Sequence, residues 1–89
     1  MPAISAFFGL VVYMYFFDDE QHHLPHIHVK YQGQEASFSI ADGGILRGVL
    51  PPAKVRLVQA WIEIRREELL ADWDLASNGQ KPMPIDPLR

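Results

Sequence analysis

The dipeptide Pro51-Pro52 divides this chain into halves of different hydrophobic period, and that switch constrains the fold more than any other feature. Before it, apolar and polar residues alternate with the period of a half-buried strand. Ile27, Val29 and Tyr31 face one way, while His26, His28 and Lys30 face the other. Residues 35–40 alternate again, burying Ala36, Phe38 and Ile40 and turning Glu35, Ser37 and Ser39 outward. Asp42-Gly43-Gly44 is a hairpin signal, and residues 45–50 supply the strand after it. Upstream, residues 10–17 are β-branched and aromatic on both faces, which predicts a buried central strand. These spacings describe a four-stranded antiparallel meander over residues 10–50 with one apolar face.

Beyond Pro51-Pro52 the period becomes helical. Pro52 suits a first helical turn, no Gly or Pro interrupts residues 53–77, and Asn78-Gly79 supplies a stop. A helix over residues 52–78 is predicted, with Val55, Val58, Ile62, Leu69, Trp73 and Ala76 forming the stripe that covers the sheet. Residues 79–89 are proline-rich and extended, a strap across the surface. The predicted architecture is α+β, one long helix on a small sheet, in a single domain over residues 1–89.

Composition narrows the chemistry. No cysteine is present, which removes disulfides and thiolate-ligated metal sites. A net charge of -3 argues against general binding of nucleic-acid backbone, though a local basic patch is compatible with it. The apolar start up to Asp18 has no leading Lys or Arg and falls short of the ~20 apolar residues of a spanning helix. A cytoplasmic protein without a membrane segment is therefore expected. Neither a nucleophile elbow, nor a phosphate loop, nor a dinucleotide fingerprint is found.

The strongest chemical signal is four histidines in seven positions: His22, His23, His26 and His28. On a strand, His26 and His28 share one face, opposite Ile27 and Val29 and outside the main core. His22 lies on the loop before them, and Pro25 stiffens the connection. These three imidazoles are the candidate ligands of a divalent transition metal, zinc first, with His23 or Asp19 as a further ligand or outer-shell acceptor. Two other roles stay open: a hydrogen-bonded structural cluster, and metal-free acid–base catalysis by the same three residues.

The predicted helix has more apolar surface than one stripe needs. Leu57, Trp61, Ile64 and Leu75 project nearly opposite the first stripe. Their cover is the tail through Met83, Ile85 and Leu88, a second copy of the chain, or another protein. Leu57, Trp61 and Ile64 are thus candidate partner-binding residues. Lys54 and Arg56 early in the helix, and Asp72 and Asp74 late in it, oppose the helix dipole. A bend near Arg66 would relieve the middle of this pattern but not its start. Arg47, Lys54 and Arg56 form a candidate basic patch.

Over nearly its whole length the chain resembles the bacterial domain-of-unknown-function family 4160. The likeness runs through Met1-Pro2-Ala3-Ile4-Ser5 with Phe7 and Gly9, Met14-Tyr15, and Pro25-His26-Ile27-His28-Val29. It continues through Gly48-Val49-Leu50-Pro51, Leu57-Val58 with Trp61, Glu68-Leu69-Leu70 with Trp73, and Pro84-Ile85-Asp86-Pro87-Leu88. Relatives usually read His-Asn-Pro-Pro-His-x-His, so His23 and Leu24 depart from the pattern while His22, His26 and His28 keep it. Arg65 stands where many relatives have a histidine. The resemblance implies a small cytosolic protein often encoded beside another small protein, an arrangement similar to a toxin–antitoxin pair. It thereby implies an interaction or regulatory module. The alternative is a small metal- or histidine-dependent hydrolase such as a nuclease.

Overall fold

The computed structural model describes residues 3–15 and 24–89. Among them are five strands and one helix: β1 (Ala3–Phe7), β2 (Leu10–Tyr13), β3 (His26–Tyr31), β4 (Gln34–Ser39), β5 (Ile45–Gly48) and α1 (Pro52–Ser77). The strands lie side by side in chain order, every neighbouring pair antiparallel, so the sheet is a meander. The α+β class is as expected. The strand count is one higher, because the apolar start folds back on itself at Phe8-Gly9 (φ 50° and 80°) to form a β1–β2 hairpin. No Asn-Gly or Asp-Gly marks that turn in the sequence. The predicted strand over 10–17 is shorter, ending at Tyr13, and Phe16 and Phe17 lie outside the described residues.

One face of the sheet is apolar. Leu10, Val12, Ile27, Val29, Phe38 and Ile40 are fully buried there beside Ile4, Phe7 and Met14. The helix covers this face with Val58, Ile62 and Leu69 buried and Val55 and Trp73 packed partly against the core, as its stripe predicts. Helical dihedrals fail at Arg65 (φ −108°, ψ 19°), one residue before the expected bend. Around the kink Arg66 pairs with Glu63 and donates its Nε–H to the Ile40 carbonyl at 2.9 Å, tying the helix to the end of β4. Arg65 pairs with Glu68 at 3.0 Å.

The helix stops where Asn78-Gly79 predicts. Gln80 N–H reaches the Leu75 carbonyl and Gly79 N–H the Ala76 carbonyl, the two bonds of a Schellman ending. From there residues 82–88 return along the first strand. Ile85 N–H donates to the Ile4 carbonyl at 2.7 Å, and the Trp61 indole N–H donates to the Asp86 carbonyl at 2.8 Å. The tail thus covers Trp61 on the helix's second face, while Ile64 of that face stays exposed. No helix among the described residues is long and apolar enough to cross a membrane.

Candidate functional site

The second face of the sheet carries the chemistry. The register places His28 between Tyr13 on β2 and Ser37 on β4, with Arg47 of β5 beyond Ser37. His26 lies opposite Ser39. Because side chains repeat every two residues along a strand, His26 and His28 point the same way, and their rings meet edge to face at 5.1 Å. Tyr15 leans on His28 at 4.7 Å, and Tyr13 stacks near Tyr15 at 6.1 Å with Lys30 Nζ over its ring.

The pair is expected outside the main core, yet it is buried. His26 is 1% exposed and His28 7%, and Ser37 and Ser39 beside them are buried as well. Trp73 packs on His26, their ring centroids 5.1 Å apart. Before Arg65, where helical dihedrals fail, Trp61 of the helix contacts Phe7; after it, Trp73 contacts His26 at the start of β3. The sheet thus buries polar residues as well: His26, His28, Ser37 and Ser39, opposite in parity to Ile27, Val29 and Phe38.

Two contacts orient the rings. His26 Nδ1 lies 2.8 Å from the Leu24 carbonyl. A carbonyl oxygen only accepts, so Nδ1 bears the proton and the lone pair of the neutral ring is on Nε2. His28 Nδ1 lies 3.5 Å from Glu35 Oε2, a carboxylate diagonal to it on β4. That places a negative charge behind the His28 ring, the arrangement that holds an imidazole with Nε2 forward. Two Nε2-directed rings on one strand face are half of a nitrogen-ligated metal set. Among the described residues no group of three His, Cys, Asp or Glu is placed to hold a metal. His22, His23 and Asp19 lie outside the described residues.

The sequence did not point to Tyr15, Glu35 or Trp73 as neighbours of the histidines. Tyr13 and Tyr15 share the period-two parity that would have paired them with the histidine face. Trp73 carried no such signal, since its helical period places it on a stripe without naming the strand residue it meets.

The remaining candidates are dispersed. Trp61 is fully buried and Leu57 partly so, while Ile64 is 64% exposed. Ile64 and Leu70 line one surface depression whose rim is Glu63, Arg66, Glu67 and Glu68. Lys54 donates to the Phe8 carbonyl at 2.9 Å and sits over the Tyr31 ring at 4.9 Å, which offsets its adverse place in the first helical turn. Arg47 belongs to the histidine face, and Arg56 is exposed on the helix. Arg65, standing where relatives have a histidine, is engaged with Glu68 and lies 3.9 Å from Asp86.

Against protein families, the sequence model of the domain of unknown function DUF4160 matches residues 9–74, from the β1–β2 turn to the second helical segment. The chain belongs to the DUF4160 family. The DUF4160 match spans β2 to β5, the histidine pair and Trp73, and it leaves β1 and the tail outside. No curated protein and no solved structure matches the chain.

Proposed function

We propose that this DUF4160 protein is a non-enzymatic interaction module of the cytoplasm, one half of a small two-protein regulatory pair of the toxin–antitoxin kind. The observation that carries this reading is the burial of both described imidazoles. A general acid or base must come within hydrogen-bond reach of a substrate proton, and rings at 1% and 7% exposure enclosed by Trp73 and Tyr15 offer little approach. Burial instead suits a closed structural site. His26 and His28, joined by His22, would hold a transition metal, zinc first, with His23 or Asp19 as a fourth ligand or outer acceptor. The partner, a small protein encoded nearby, would seat on Ile64 and Leu70, whose depression remains open while the tail covers Trp61.

Co-expression with the neighbouring gene's product, without an affinity tag on this chain, tests the reading. The expected product is a stable stoichiometric complex that retains zinc by elemental analysis, weakened by Ile64→Asp and intact with His28→Ala. A chain that purifies alone, degrades RNA or DNA, and loses that activity on chelation or with His28→Ala would replace it with the hydrolase.

A further inference from the structure

Asp72 is a buried carboxylic acid, 3% exposed, in the second helical segment. Its Oδ1 accepts the Met83 backbone N–H at 3.0 Å, and Oδ2 is buried with no hydrogen-bond partner. Met83 belongs to the tail, whose next attachments are Ile85 N–H to the Ile4 carbonyl and the Trp61 indole N–H to the Asp86 carbonyl. The buried acid therefore stands at the first of three successive anchors that hold the tail over Trp61 and the β1 edge.

We propose that Asp72 is a proton-controlled latch of the tail, which closes tightly when this carboxyl is neutral and loosens when it is ionised. Closing the tail takes the carboxyl out of water, and an ionised oxygen without a partner bears the full desolvation penalty. A neutral carboxyl avoids that penalty and still accepts the Met83 N–H through its carbonyl oxygen. Among the charged groups nearby, Glu68 acts in the same direction. Glu68, one turn earlier on the same helix and paired with Arg65 at 3.0 Å, adds negative charge; β1 has no charged residue; and the tail contributes Lys81 and Arg89, which oppose it, and Asp86, 3.9 Å from Arg65. Burial first, then Glu68, raise the Asp72 pKa above the ordinary carboxylate value, and the Met83 hydrogen bond opposes them.

The sign follows from linkage. A group whose pKa is raised by closure stabilises the closed state fully below its ordinary value of 3.8, and loses that contribution as pH rises through the raised value. This inference needs no second protein and stands apart from the partner reading. Its consequence is that Trp61, the edge of β1 and the apolar residues beneath the tail become accessible as the surroundings turn from acid to neutral.

Amide hydrogen exchange on the chain at about pH 4 and about pH 7.5 tests the latch. The reporter is the Ile85 amide, divided by its intrinsic exchange rate and compared with Val29 in the central strand. The expected result is a loss of Ile85 protection at the higher pH, beyond any change at Val29. With Asp72→Asn the two pH values should give equal Ile85 protection relative to Val29. Asp72→Leu, which fills the space without a titrating group, is the control should the amide variant fail to fold. Ile85 protection that is flat with pH in the native chain, or a loss that persists in the folded variants, would overturn the proposal.

Discussion

Replacing Trp61 by alanine is expected to destabilise the protein by about 3–5 kcal/mol, a large part of what a domain of this size possesses. The indole is fully buried, its ring centroid 5.2 Å from that of Phe7, and its N–H satisfies the Asp86 carbonyl at 2.8 Å. One side chain therefore joins the helix, the first strand and the tail. Truncation removes the apolar contact, leaves a cavity among elements that cannot collapse independently, and unties the tail. Trp61→Phe keeps most of the ring and loses the hydrogen bond, so a smaller cost of about 1 kcal/mol plus some packing is expected. Urea unfolding followed by circular dichroism gives both values from the midpoint at constant slope. A loss below about 1 kcal/mol for Trp61→Ala would mean that the residue is not the junction described.

The second large effect is expected at Gly48, where β5 ends. Its φ is +85°, which disfavours any L side chain, and an added Cβ would stand 2.1 Å from the Glu35 carbonyl oxygen and 2.8 Å from the Ala36 Cα. Both atoms are backbone of β4, so no side chain can rotate away. The same carbonyl accepts the Val49 N–H at 3.2 Å, so relief requires opening the β4–β5 ladder. Gly48→Ala is expected to cost about 3 kcal/mol or more, combining backbone strain of about 1–2 kcal/mol with the clash. Gly33 has nearly the same φ, +81°, with nothing within 4 Å of an added Cβ. Gly33→Ala thus measures the backbone part alone, and thermal denaturation of the two variants separates it from the clash. Equal losses would contradict the close β4–β5 approach.

Much of the fold follows from local pattern. The alternation around Ile27, Val29 and Phe38, the Asp42-Gly43-Gly44 turn, the proline start and the Asn78-Gly79 stop each act within a few residues, and each has its counterpart in the structure. The β1 strand escaped this reading because the apolar start lacks polar punctuation, and its turn at Phe8-Gly9 has no marker at the first position. The facing of the histidines was also legible, since strand parity alone puts His26 and His28 side by side. Their burial was not. One neighbour of His26 is Trp73, 47 positions later in the chain, and strand parity says nothing about a contact so distant in sequence. Likewise the helical pattern showed that Trp61 needed a cover, but only the Ile85 and Asp86 contacts identify the tail as that cover.

Modification by diethyl pyrocarbonate, read residue by residue by mass spectrometry in the folded chain, tests the enclosed histidine pair most directly. His26 and His28 are expected to resist the reagent while free imidazole is consumed, and to react once the protein is denatured. Reaction of both rings in the native state at the rate of exposed histidine would contradict their burial and return the site to acid–base chemistry.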